Sequence, residues 1–402
     1  MARKPLRTGF TTGACAAAAA LGAAQMLKEE RRIEAVELLL PAGVTATFRL
    51  QGQVFDAEKA SCFVVKDAGD DPDVTHGVEV HAEVALLQGD SPPKRGQSPL
   101  AVVIEGGTGI GRVTKPGLAV PVGEWAINPV PRRMIEEALR AVFADCQSPA
   151  FAEASAGRPL TPHVTISIPD GEERAKRTLN ARLGIIGGLS ILGTSGIVRP
   201  ISHKAWTDTL DAALDVALAG GCDTVVLSTG RTSELAAQKA LTPPSPPCET
   251  GGMPEGRGGR VFPEESFIMM GDHVGYALDA CHRRGIPNVV LAAQFAKLVK
   301  IACGHAQTHV SASRLELAQL AAWCRAGGLD ESQAKTIECA NTAREVYLAA
   351  TDVDVLTAVV AERALAQLRC RAPGAAVAVL LVDYDGTPAG RYGDWPGKEK
   401  KS

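Results

Sequence analysis

Aromatic residues are scarce in this chain: Phe, Trp and Tyr fill 4% of its 402 positions. A dominant charge is missing too, because 42 Lys and Arg stand against 45 Asp and Glu, for a formal net charge of −3. No basic stripe with interleaved aromatics occurs, so no nucleic acid is expected as a partner. The ten cysteines are scattered singly, with no CxxC pair and no disulfide-framework spacing. Such cysteines read as small core residues in a reducing compartment. Residues 14–24 are alanine with one Cys, one Leu and one Gly, too short and too weakly apolar to span a bilayer. No membrane is expected, and the cytoplasm is the expected location. A Walker A lysine, a GxSxG elbow and EF-hand ligand spacing are all missing.

What the chain does have is glycine-rich turns flanked by hydroxyls or charge. They lie at residues 7–13 (RTGFTTG), 106–112 (GGTGIGR), 193–196 (GTSG), 228–231 (STGR) and 270–273 (MGDH). Glycine lets backbone approach a ligand closely, and such turns can aim N–H groups at anions. Together they suggest an enzyme that holds a large polar, anionic substrate beside a cofactor.

The length predicts two domains, and an apolar content of 46% is ample for their cores. The fold class expected is α/β. A mixed α+β N-terminal domain (1–185) is followed by an open, mostly parallel α/β domain (186–394) and a disordered tail (395–402). In the first domain an alanine-rich helix capped by Thr12 runs to about Arg32. Strand-like stretches follow at 35–40, 44–50, 62–66, 78–87, 100–104 and 164–168, with a helix over 131–143. Beyond residue 189, short continuous apolar runs alternate with helices, which reads as a parallel sheet. The SRLE run at 313–316 has capping-box spacing, and the Pro/Gly-rich stretch 241–260 reads as a surface insertion.

The GGTGIGR turn follows a strand as a dinucleotide loop would. It lacks GxGxxG spacing, and the VTKPG run after it cannot open a helix. Arg112 and Lys115 then become candidates for gripping carboxylates or phosphates, although a plain tight loop fits equally well. Ser228, Thr229, Gly230, Gly271 and Asp272 fall at the carboxyl ends of parallel strands, the edge where such sheets bind ligands. Asp272 there either meets a cofactor or caps its own helix. The CGHAQTH run at 303–309 lacks a full zinc ligand set, so no protein-bound metal is expected. His309 suits proton transfer near neutrality or a helix end. The loop 67–73 carries four carboxylates and is either a solvated turn or the source of a base.

Several of these segments together resemble the cobalt-precorrin-5B C(1)-methyltransferase family, CbiD. They are residues 10–17 (FTTGACAA), 67–77 (DAGDDPDVTHG), 111–118 (GRVTKPGL), 121–131 (PVGEWAINPVP), 188–198 (GLSILGTSGIV), 270–275 (MGDHVG) and 297–305 (KLVKIACGH), with Thr308-His309. The match runs in order from about residue 7 to 310. The resemblance implies methylation of ring carbon 1 of a corrin precursor by S-adenosyl-L-methionine during cobalamin synthesis. It implies an anionic tetrapyrrole as the small-molecule partner, and it leaves a homo-oligomer open. For that chemistry His309 and Asp71 are the candidate catalytic bases. Ser228, Thr229, Gly230, Gly271 and Asp272 become cofactor residues. Arg7, Thr11, Thr12, Arg112, Lys115, Thr194 and Ser195 become substrate residues. Trp125 stands where a small residue or Pro is expected, Ala14 stands where Thr is common, and the 241–260 insertion is long. A small-molecule kinase with a Gly/Ser phosphate loop and a non-catalytic tetrapyrrole carrier are the rival readings.

Overall fold

The computed structural model describes residues 6–88, 101–144, 160–241 and 262–396. The expected surface insertion thus lies, from residue 242 on, outside the described residues, as do residues 397–402 of the expected tail. The chain divides into two compact units, residues 1–203 and 204–402.

In the first unit, strand β1 (Gly9–Phe10) leads into helix α1 (Thr12–Glu29). Alanine is the strongest helix former and loses no side-chain entropy, which accounts for the helix. Every residue from Thr12 to Ala24 is buried, so the helix is a core rod rather than an amphipathic one. Only near its end does it reach water, at Gln25, Lys28 and Glu29. The cap is Thr11, not Thr12: its backbone is extended and its Oγ1 accepts from the Ala14 N–H at 3.2 Å. One residue's difference in the start of the helix moves the capping role.

A hairpin of β2 (Ala35–Leu39) and β3 (Thr45–Arg49) follows, then β4 (Gln51–Phe55), β5 (Lys59–Val65), β6 (Glu79–Gln88) and β7 (Val103–Gly106). The short β8 (Arg112–Val113), helix α2 (Pro129–Phe143), β9 (Leu160–Ser167), helix α3 (Gly171–Ala175), β10 (Ile185–Ile186) and β11 (Ile197–Val198) complete the set. The main sheet has order β4-β5-β6-β9-β7, antiparallel except where β7 runs parallel to β9. Alternation puts Cys62, Val64, Val80, Ala82 and Val84 on the face that covers α1, and α2 packs against the same helix.

In the second unit the parallel strands β12 (Thr224–Ser228), β13 (Phe267–Met269), β14 (Asn288–Gln294) and β15 (Ala376–Val382) are joined by an antiparallel β16 (Pro388–Gly393). Their order is β13-β12-β14-β15-β16. The order reverses between β12 and β14, which marks the crevice where open α/β sheets take ligands. Helices α4 (His203–Ala219), α5 (Arg231–Leu241), α6 (Val274–Arg283) and α7 (Phe295–Ala302) alternate with the strands. Helices α8 (Leu317–Ala326), α9 (Glu331–Cys339), α10 (Ala343–Ala349) and α11 (Val353–Arg371) then intervene before β15.

The expected capping box at 313–316 does not form. Glu316 precedes α8 without a side-chain cap, and the Ser313 hydroxyl donates to the His309 carbonyl at 2.9 Å. Trp395 is buried, with the Arg391 guanidinium over its ring.

Candidate functional site

The glycine turn after β7 is built by backbone meeting backbone. A Cβ on Gly109, whose φ is +72°, would run into the Ile168 carbonyl and Gly171. A Cβ on Gly171 or Gly188 would in turn strike Gly109. Its N–H groups are largely spoken for: Gly107 donates to Ile166, Ile110 to Gly107 and Gly111 to Leu189. The glycines here serve a crossing of three chain segments.

The 7–13 and 193–196 turns close around the start of α1. The Thr12 hydroxyl donates to the Leu192 carbonyl and accepts from its N–H, and Gly13 N donates to the same carbonyl at 3.0 Å. Thr11 and Thr12, expected to face the substrate, are both buried, and both hydroxyls are engaged by the fold. Ser195 exchanges hydrogen bonds with the Ile197 backbone, and Thr194 is exposed.

The acidic loop is a hub in which each carboxylate has a partner. Asp67 takes the Arg7 guanidinium, Asp70 accepts from the Arg7 N–H at 2.7 Å, and Asp71 accepts from the Ile201 N–H at 2.9 Å. Asp73 accepts from the buried Lys66 at 2.5 Å. Arg7 is therefore ion-paired with Asp67 at an exposed position. Asp71 steadies a β-branched residue held at φ +56°, an unusual conformation for isoleucine.

Arg112 and Lys115 differ. The exposed Arg112 guanidinium lies 3.9 Å from the centre of the Trp125 ring and donates to the Gly123 carbonyl at 2.8 Å. Trp125 is itself seated on Gly106, where a Cβ would collide with the indole. The indole thus fixes the guanidinium on its face, and no carboxylate is paired with it among the described residues. Lys115 lies along Gly184 and donates to the Arg182 carbonyl at 3.3 Å, so it is already held by the fold.

In the second unit, Ser228 is buried and its hydroxyl donates to the Ile268 carbonyl at 3.3 Å. Thr229 pairs with Ser233 at 3.3 Å, and around Gly230 an added Cβ would meet nothing within 4 Å. Gly271, at φ +60°, lies under Trp206, whose indole N–H donates to the Met270 carbonyl at 3.0 Å. Asp272 does not cap α6: its Oδ1 accepts from Lys297 and from the Thr308 hydroxyl, the latter at 2.5 Å. Burial, the largest influence, raises the Asp272 carboxyl, but Lys297, Thr308 and nearby His309 bring it below its ordinary value. Lys297 thereby joins the helix after β14 to the turn after β13, the two strands flanking β12. Lys300, half-buried one turn along α7, donates to the Thr308 carbonyl at 2.9 Å. His309 is exposed, with Nδ1 against the Ser311 hydroxyl at 2.7 Å.

Sequence reasoning did not single out Lys297 and Lys300, which the structure places against Asp272 and the Thr308 carbonyl. Their spacing of three on a helix was the available signal. His309 and Asp71 belong to different units. Among the described residues no cluster of three or more His, Cys, Asp or Glu could hold a metal, and no helix is long and apolar enough to cross a membrane.

The family described as CbiD matches residues 1–200, and its C-terminal domain matches residues 307–393. A relative from Geobacter metallireducens, named cobalt-precorrin-5B C(1)-methyltransferase, is 55% identical over 96% of this chain and 99% of its own length. A relative of the same name from Priestia megaterium is 40% identical over 85% of this chain and 83% of its own. A crystal structure of the cobalamin biosynthesis protein cbiD from Archaeoglobus fulgidus is 28% identical, covering 74% of this chain and 80% of that one, with a TM-score of 0.35. By its family matches and its near full-length relatives, the chain belongs to the CbiD family.

Proposed function

We propose that this protein methylates ring carbon 1 of cobalt-precorrin-5B in the cytoplasm, using S-adenosyl-L-methionine and giving cobalt-precorrin-6A for cobalamin synthesis. One observation carries the reading: the 55% identity, over nearly the whole of both chains, to a relative of that name. Cobalt belongs to the substrate in this reading and is not a resident metal.

S-adenosyl-L-methionine, when bound, supplies an electrophilic methyl group on sulfur. The residues of the second unit's carboxyl edge fit such a ligand: Gly230 opens onto free space beside half-buried Thr229, at the point where the strand order reverses. Thr229, Gly230 and Gly271 would hold it there, with buried Ser228 and half-buried Asp272 fixing the turns beneath. Alignment of donor and acceptor contributes most of the rate in such a transfer, so rigid turns are the main requirement. Arg112, flattened on Trp125, would meet a carboxylate at the tetrapyrrole rim with its remaining N–H edge. The ring must shed a proton once its carbon is alkylated. His309, exposed beside Ser311, would take that proton on its imidazole, and Asp71 is the second candidate.

The test is incubation with methyl-labelled S-adenosyl-L-methionine and anaerobically prepared cobalt-precorrin-5B. Label at ring carbon 1, with S-adenosylhomocysteine formed in equal amount, supports the proposal. Tight tetrapyrrole binding without transfer would make the protein a carrier, and phosphoryl transfer from ATP would make it a kinase.

A further inference from the structure

We propose that Lys297 and Lys300, with His309 beside them, form a carboxylate-binding subsite at the carboxyl edge of the second unit's sheet. The inference rests on the methyltransferase reading and adds the chemistry of one contact to it. The ligand group is an organic carboxylate, and two sources carry one: the amino-acid end of the methyl donor and the rim of the tetrapyrrole.

Lys297 and Lys300 lie three residues apart on α7, so both ammonium groups leave the same side of the helix. The one carboxylate in direct contact with them is Asp272, and Lys297 and the Thr308 hydroxyl already share one of its oxygens. Lys300 is left with a backbone carbonyl, that of Thr308, and forms no ion pair among the described residues. A carbonyl satisfies a proton but does not neutralise a charge. The cluster therefore holds one unit of positive charge more than it balances, in a half-buried setting where such an excess is costly.

The same chain shows what a lysine with a purely structural role looks like. Lys66 is buried against a full carboxylate, Asp73, at 2.5 Å. Lys300 lacks that counterpart. Burial and then Lys297 lower its ammonium below the ordinary value, and the nearby Asp272, already bound by Lys297, offsets them only in part. The location agrees: the Lys297–Asp272 bridge spans the end of β12, beside the reversal in strand order. An arriving carboxylate would complete Lys300 as Asp73 completes Lys66, through a charge-assisted hydrogen bond.

The experiment uses the full chain with Lys300→Met and Lys300→Arg. Calorimetry gives the affinity for S-adenosylhomocysteine, and steady-state kinetics gives KM and kcat for cobalt-precorrin-5B. Lys300→Met should weaken one of the two ligands roughly ten- to hundredfold, as loss of a charged hydrogen bond does. Lys300→Arg should restore most of that loss. A fall in S-adenosylhomocysteine affinity places the carboxylate on the donor. A rise in KM with kcat and S-adenosylhomocysteine affinity kept places it on the tetrapyrrole. A folded Lys300→Met protein with both unchanged overturns the subsite. If that variant does not fold, wild-type protein is heated with succinate and with uncharged succinamide. A melting temperature raised by succinate alone supports the subsite, and equal melting in both refutes it. The succinate test also stands alone if the wild type transfers no methyl group, so the functional reading and the subsite can fail separately.

Discussion

Lys66 Nζ donates to Asp73 Oδ2 at 2.5 Å from a side chain only 1% exposed, the bulkiest kind of group to be sealed inside the first unit. A buried pair of this kind is worth little when both members are replaced by apolar groups, but breaking it strands a charge. Asp73→Ala should therefore cost about 3–5 kcal/mol, read by urea denaturation. Lys66→Met with Asp73→Ala should recover much of that loss. Equal stability of the single and double variants would show that the pair does not act as a unit.

The pair also sets an acid limit. Burial, the largest influence on Asp73, raises its carboxyl, while Lys66 and Thr75 outweigh it and leave the group below its ordinary value of 3.8. A depressed carboxyl contributes stability above the unfolded value and loses it as pH falls through the folded value. Asp67 and Asp272 are depressed in the same direction. Melting temperature should hold from neutrality down to about pH 4 and then fall steeply. In Asp73→Asn the fall should be shallower. An identical acid limb would remove Asp73 from the account.

Gly109 separates two uses of glycine. Gly109→Ala must clear the Ile168 carbonyl and hold φ +72°, so it should cost about 3 kcal/mol or more. Gly123→Ala also sits at positive φ, +91°, but its Cβ meets nothing within 4 Å. It should cost about 1–2 kcal/mol. Chemical denaturation of both variants checks the contrast, and equal costs would contradict the crossing.

At Arg112 the expected effect is on the tetrapyrrole. Arg112→Ala should raise its KM roughly tenfold and leave S-adenosylhomocysteine affinity unchanged. Trp125→Ala frees the guanidinium and should raise KM about two- to tenfold, with Trp125→Phe in between. Lys115→Ala should show mainly as lost stability, because its ammonium is already on the Arg182 carbonyl. Loss of S-adenosylhomocysteine binding in Arg112→Ala would reassign that segment to the cofactor.

Asp272→Ala releases Lys297 and the Thr308 hydroxyl together. S-adenosylhomocysteine affinity should drop about tenfold, measured by calorimetry on a variant shown to be folded. Unchanged affinity would remove the turn after β13 from the cofactor site.

Much of the fold could be read from periodicity. Alternation in β5 and β6 and the unbroken apolar runs of β12, β14 and β15 mark their own burial. Strand β16 escaped because its PAGRYG sequence carries the residues that usually break strands, which an edge position tolerates. The site was less legible, for a physical reason. A glycine announces that something comes close, but not whether that is a ligand or the chain itself, and at Gly109 it is the chain. Lys66 ends a strand-like run where a lysine would ordinarily reach water, and only tertiary packing encloses it. Thr11 and Thr12 carry hydroxyls suited to a substrate, yet the nearest polar groups are those of their own helix start and Leu192.

Helix α1, buried on every side from Thr12 to Ala24, has a mechanical consequence. Alanine has no rotamers to exchange, so strain reaching this rod cannot be absorbed by side chains turning. The sheet face and α2 rest directly on a stiff strut whose tip is clamped by Thr11 and Leu192. A push on that tip would be carried along the axis as a displacement of the whole helix, and the layers seated on it would travel with it rather than repack.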